Sequence, residues 1–200
     1  MTRPFLATLA MLAAAATLAR AEATPGQDAP AFQVRDTQGR SQALADYKGK
    51  YVVLEWTNPD CPFVKKWYTG GAMQELQKAL TAEGVVWLTI NSGAPGKQGH
   101  RTAERWNELA KQQNSAATAL IIDESGEIGR AYGAKTTPHM FVIGPDGKVI
   151  YAGAIDSKPS ADPADIPGAV NYVKQAIGEA KAGKVVSVPS ARPYGCSVKY

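Results

Sequence analysis

Two hundred residues, 44% of them hydrophobic, suffice for one domain with a sizeable core. The 22 Lys and Arg against 18 Asp and Glu give a net charge of +4 with no basic run, so the footprint of a nucleic-acid binder is absent. The chain holds only two cysteines, Cys61 and Cys196, and two histidines, His100 and His139.

MTRPFLATLAMLAAAATLARA opens the chain: Arg3, an apolar run from Phe5 to Leu18, then Ala19-Arg20-Ala21. That order reads as a secretory signal peptide, and the run is too short to span a bilayer comfortably. The expected mature chain starts near Glu22. Residues 22–30 read as a linker. AFQVRDTQGRSQAL follows as two short strands around a Gln38-Gly39 turn. YVVLEW is a β-branched, apolar run of the kind that makes a buried strand. Residues 62–83 read as one helix stopped by Gly84. VVWLTIN (85–91) and TALIID (118–123) are further buried strands, separated by a glycine-rich loop and a helix capped by Thr102. GEIGRAYGA is a short helix or turn. MFVI and KVIYAG form a hairpin around Pro145-Asp146-Gly147. Residues 167–182 form a closing helix with apolar positions Val170, Val173, Ile177 and Ala180. The last stretch, GKVVSVPSARPYGCSVKY, reads as a loosely held tail. Strands separated by helical stretches predict an α/β fold, a central mixed sheet with helices on both faces.

Cys61 sits between a strand and a helix that starts at Pro62, a residue suited to the first helical turn because its missing N–H is unpaired there anyway. A sulfur at that end faces free N–H groups and the positive end of the helix dipole, which favours the thiolate, the nucleophilic form. Lys65 and Lys66 add positive charge one turn on, and Asp60 opposes it. Trp56, Trp67 and Tyr68 flank the cysteine and read as packing.

The string AFQVRDTQGRSQALADYKGKYVVLEW resembles the opening of the redoxins, thioredoxin-fold proteins that include peroxiredoxins and thiol-disulfide reductases. Cys61 falls where that fold places its nucleophile. Lys135-Thr136-Thr137-Pro138 followed by MFVI resembles the loop that holds a cis-proline facing the cysteine. The resemblance covers residues 28–180, and NPDCPFVK is similar to a peroxiredoxin-like group (alkyl hydroperoxide reductase and thiol-specific antioxidant). It implies a substrate-positioning role for Thr137 and Pro138 and a cis bond between them. A proline there also leaves neighbouring backbone groups free for an incoming chain. Two departures stand out. Val64 occupies the position of a thioredoxin's second cysteine. Asn58, Leu54 and Pro138 replace the threonine or serine, the proline and the arginine with which peroxiredoxins orient peroxide.

In an exported chain, two cysteines allow a single intramolecular pairing. Closing a Cys61–Cys196 loop would stabilise the domain by about 5 kcal/mol in the chain-entropy model. That value suits a permanent staple as well as a working couple. A low-pKa leaving thiol makes a disulfide easier to reduce, which favours the reversible pair. With only one cysteine near position 61 and His139 expected to point away along a strand, no metal site and no cofactor are expected.

The reading at this level is a signal peptide over 1–21, a redoxin domain over 22–184 and a tail over 185–200. Cys61 is the expected nucleophile and Cys196 the resolving thiol of an exported, periplasmic thiol–disulfide oxidoreductase. The expected partners are an oxidised thiol protein or a peroxide and an external thiol reductant, with no nucleic acid and no stable membrane insertion. The alternatives are a thiol-dependent peroxidase on the same residues and a non-enzymatic binding domain stapled by its disulfide.

Overall fold

A computed structural model describes residues 22–200, so the expected signal peptide lies outside the described residues. Alternation around the Gly39 turn builds an antiparallel pair, β1 (Gln33–Arg35) and β2 (Ser41–Ala43), followed by a short 3-10 segment, Leu44–Tyr47. The apolar runs become the central strands: β3 (Val52–Trp56), β4 (Val86–Asn91), β5 (Ala119–Ile122), β7 (His139–Ile143) and β8 (Val149–Gly153). They assemble in the order β5-β4-β3-β7-β8. β3 pairs parallel with β4 and β4 parallel with β5, whereas β7 runs antiparallel to β3 and forms the expected hairpin with β8. β3 and β4 are buried end to end, as expected of parallel strands covered on both faces.

Alternate residues of these strands feed two cores. Val52, Leu54 and Trp56 face Ile128, Ala131 and Tyr132 of helix α4 (Glu127–Tyr132), with Val34 of β1 and the 3-10 segment at the margin. Val53 and Trp87 face Trp67 of α1 (Pro62–Thr69), Met73, Leu76 and Leu80 of α2 (Ala72–Ala82), and Val173 and Ile177 of α5 (Tyr172–Lys181). Helix α3 (Ala103–Gln112) starts on Thr102, whose hydroxyl accepts the Arg105 N–H at 3.4 Å. Helices therefore lie on both sides of a mixed five-stranded sheet.

Three expectations change. The single helix over 62–83 is two helices, because Gly71 takes a left-handed conformation (φ 83°) between them. The closing helix starts at Tyr172 on an Asn171 cap that accepts the Lys174 N–H at 2.9 Å. Pro163–Gly168 is a separate 3-10 turn, and Val170 is half exposed rather than on a buried helical face.

The tail is the third correction, since it is clamped along its length. Ala152 on the free edge of β8 donates to Pro189 and accepts from Ala191. A two-residue strand, β9 (Cys196–Ser197), pairs antiparallel with β6 (Thr136–Thr137). Val198 donates to the Lys135 carbonyl and Lys199 accepts from Ala94. Tyr200 donates to the Ala134 carbonyl at 2.8 Å, with the Arg130 guanidinium 4.6 Å from its ring centre. Prolines and glycines made this stretch read as loose, but its partners come from edges distant in the chain.

Candidate active site

The turn before α1 is shaped by Asn58. Its side-chain oxygen accepts the Asp60 N–H at 2.9 Å, and its backbone carbonyl accepts the Cys61 N–H at 3.0 Å. Cys61 is thereby the N-cap of α1, followed by Pro62 in the first turn. Its side chain is fully buried, with Sγ 3.0 Å from the Thr137 carbonyl oxygen. The Thr137–Pro138 peptide bond is cis. Directly across the β6–β9 pair from Thr137 stands Cys196.

The four residues singled out in the sequence, Cys61, Thr137, Pro138 and Cys196, thus meet at one point. Both cysteines are free thiols. Burial raises the Cys61 pKa, but hydrogen bonds from the Cys196 thiol and backbone N–H, from the Thr137 hydroxyl and from the Val64 N–H outweigh it. The net shift is downward, so the thiolate is favoured. Cys196 moves the other way. Burial, its hydrogen bond to Cys61 and the charge there push it up to about 11, against a small opposing effect of Lys199. One sulfur is prepared to lose its proton and its neighbour to keep one.

The surrounding charges differ from expectation. Asp60 does not act on the sulfur unopposed: Arg101 binds its carboxylate through two N–H groups at 2.7 and 3.2 Å and lowers its pKa. Lys65 is exposed, whereas Lys66 is buried and spends its charge on Asp156 at 3.0 Å. Both side chains of that pair are fully buried. The Lys66 ammonium also donates to the Lys158 carbonyl at 2.9 Å and approaches the Tyr194 hydroxyl at 3.5 Å. Tyr194 in turn donates to the other Asp156 oxygen.

Two further features were passed over in the sequence. Glu55 lies in the middle of β3, wholly buried, and takes bonds from Trp87 and Tyr68 at 2.8 Å, Thr89 at 3.1 Å and Gln77 at 3.3 Å. Burial raises its carboxyl pKa beyond what these donors offset. A charged letter inside an apolar strand was the available signal. For Lys66, Asp156 and Tyr194 no such signal exists, because they come together only in space. His139 is buried, stacked 4.5 Å from Phe141, and accepts the Lys135 N–H at 3.1 Å. Burial lowers its pKa to about 3 and keeps it neutral. Trp56 packs against Tyr132 and Phe141, as expected of a core residue.

The AhpC/TSA family model matches residues 25–152, which includes the Cys61 turn and the Thr137–Pro138 loop. The chain belongs to the AhpC/TSA family. Among relatives of this AhpC/TSA chain, the thiol-disulfide oxidoreductase ResA of Geobacillus thermodenitrificans is 31% identical over 131 residues. That match covers 62% of the chain and 66% of the relative, so the chain spans just under two thirds of the relative's length. Among solved structures, an uncharacterized conserved protein from Geobacillus kaustophilus superposes with a TM-score of 0.75 at 24% identity, over 88% of this chain and 92% of that one. The thioredoxin domain of a thiol-disulfide oxidoreductase from Bacteroides vulgatus superposes with a TM-score of 0.52 at 19% identity, over 72% and 96%. At such identities these structures establish the fold, which is thioredoxin-like.

Proposed function

We propose that this AhpC/TSA-family chain is an exported thiol–disulfide oxidoreductase that works through Cys61 with Cys196 as its resolving thiol. The observation that carries the reading is the pair of free thiols that the β6–β9 pairing brings to one place, with opposite pKa shifts. The likeness to a ResA thiol-disulfide oxidoreductase supports the reaction class.

The chemistry follows from that asymmetry. The Cys61 thiolate attacks one sulfur of a substrate disulfide, and the other sulfur departs as a thiolate that takes a proton from water. Cys61 in the mixed disulfide carries no charge, so two of the influences that raise Cys196, its hydrogen bond to Cys61 and the charge there, disappear. Cys196 then loses its proton to solvent more readily and attacks the Cys61 sulfur, expelling the second substrate thiolate. Two electrons pass to the substrate and a Cys61–Cys196 disulfide remains, to be reduced by an external dithiol. Thr137 and Pro138 are assigned to positioning: the Thr137 carbonyl and hydroxyl both address the reacting sulfurs.

Exchange is favoured over peroxide reduction because the residues at the peroxide-orienting positions are otherwise engaged. Leu54 is in the core, and the Asn58 carboxamide is committed to Asp60 and Gln98. Export rests on the leader-like segment before Glu22. No helix among the described residues is long and apolar enough to cross a membrane.

Stopped-flow oxidation of the reduced protein by a peptide disulfide and by hydrogen peroxide, with Cys61→Ser as the blank, tests the assignment. The disulfide should react far faster than it does with free cysteine, and peroxide at close to the free-thiol rate. Peroxide rates several orders of magnitude above free cysteine would replace the assignment with a peroxidase. Inertness toward both would leave a stapled binding domain.

A further inference from the structure

Cys61 is completely covered, and part of its cover is the tail strand that carries Cys196. A substrate disulfide therefore reaches the sulfur only when that strand lifts, and Cys196 resolves only when it returns. Whatever holds the strand controls both events.

The tail segment next to Cys196 is held at a buried charge cluster. Tyr194, two residues before Cys196, donates its hydroxyl to Asp156. Its ring meets Phe63 of α1 edge-on at 5.8 Å and lies 5.6 Å from the Lys66 ammonium. Lys66 sits on the same helix that begins at Cys61, and its three donor directions go to Asp156, the Lys158 carbonyl and the Tyr194 hydroxyl. Asp156 accepts from Lys66, Tyr194 and the Lys158 N–H. A surface tyrosine would have served for packing alone. Here the phenol completes a fully buried ion pair, where a missing donor is costly. Burial and the Asp156 carboxylate raise the Tyr194 pKa, so the hydroxyl stays a donor at every physiological pH.

We propose that Lys66, Asp156 and Tyr194 are positioning residues that seat the Cys196 strand on Cys61 and so set both the accessibility of the nucleophile and the speed of resolution. The inference rests on the assignment of Cys196 as resolving thiol. Coupling the strand to α1, rather than to a remote surface, keeps the two sulfurs in register because the helix that bears one also holds the strand that bears the other.

The test uses Tyr194→Phe, which keeps the ring and the Lys66–Asp156 pair and so should fold normally. The probe is 5,5′-dithiobis(2-nitrobenzoate), an aryl disulfide. Attack by Cys61 releases one coloured thiolate in a bimolecular step. Attack by Cys196 on the resulting mixed disulfide releases the second in a unimolecular step. Removing a hydrogen bond to a charged acceptor should shift the seating equilibrium by about tenfold or more. The first release should accelerate by about that factor and the second should slow, a pair of opposite changes that general destabilisation does not produce. An unchanged first release, or both steps shifting in the same direction, overturns the positioning role while leaving the resolving thiol in place. No second release from the wild-type protein overturns the resolving assignment and this inference together. Tyr194→Ala, which also loses the Phe63 contact, should exaggerate both changes.

Discussion

Gly195 lies directly against Thr137: a Cβ at Gly195 would overlap the Thr137 carbonyl oxygen, the same atom that the Cys61 thiol approaches at 3.0 Å. Gly195 also has a positive φ of 130°. Close approach of backbone to backbone is thus what allows Cys196 to sit opposite Thr137. Gly195→Ala should cost about 1–3 kcal/mol of tail seating. The expected outcome is iodoacetamide labelling of Cys61 at least several-fold faster than in the wild type, with a melting temperature lowered by about 2–4 °C for each kcal/mol lost. Labelling at the wild-type rate would mean that the tail does not depend on this contact.

The opposed thiol shifts give the dithiol form a characteristic pH dependence. Cys61 has a lowered folded pKa, so its contribution is lost as pH falls through that value and is fully present above the unfolded thiol pKa of about 8.5. Cys196 has a raised folded pKa, so its contribution is present below about 8.5 and is lost as pH rises through about 11. Relative to Cys61→Ser/Cys196→Ser, the reduced protein should gain stability up to about pH 8.5 and lose it above. Urea unfolding under reducing conditions across pH 6–11 checks this, and a monotonic difference between the two proteins would contradict it.

Breaking the buried pair from one side should be severe. Lys66→Met leaves the Asp156 carboxyl buried with Tyr194 and the Lys158 N–H as its remaining donors among the described residues. The expected loss is about 3–5 kcal/mol in urea unfolding. Lys66→Met combined with Asp156→Leu should recover much of it, because an apolar pair of similar volume avoids the desolvation cost. Equal losses in the single and double variants would show that the pair is not energetically coupled.

Stabilisation of the Cys61 thiolate favours the reduced state and makes Cys61 a good leaving group. The Cys61–Cys196 disulfide should therefore have a reduction potential above about −300 mV, outside the range of structural staples. Equilibration with dithiothreitol mixtures followed by acid trapping measures it. A value well below about −300 mV would favour the staple.

Much of the domain was legible because its strands are written locally. The apolar runs around Val52–Trp56, Val86–Asn91 and His139–Ile143 are buried on both faces and need no distant information to be recognised. Cys61 was legible for a similar reason: it lies a short turn after the strand and directly before Pro62, so the whole signal is local. The split was legible but missed: Gly70 and Gly71 stand side by side, and a Gly-Gly pair marks a turn even inside a helical pattern. The tail was illegible. A two-residue strand carries no periodicity, and β9 exists only because β6 offers an edge to it. Lys66 read, with Lys65, as positive charge one turn from the sulfur, and nothing local says that Asp156 and Tyr194, 90 and 128 residues further along the chain, take it into the interior.

The most direct test of the account is to follow which sulfur reacts first and where it ends. Reduced protein is mixed with one equivalent of a peptide disulfide, quenched in acid at increasing times and mapped by mass spectrometry. A transient peptide adduct should form on Cys61 and decay to an intramolecular Cys61–Cys196 disulfide with release of the second peptide thiol. In Cys196→Ser the adduct on Cys61 should accumulate and persist. A first adduct on Cys196, or a Cys61 adduct that never passes to Cys196 in the wild-type protein, would contradict it.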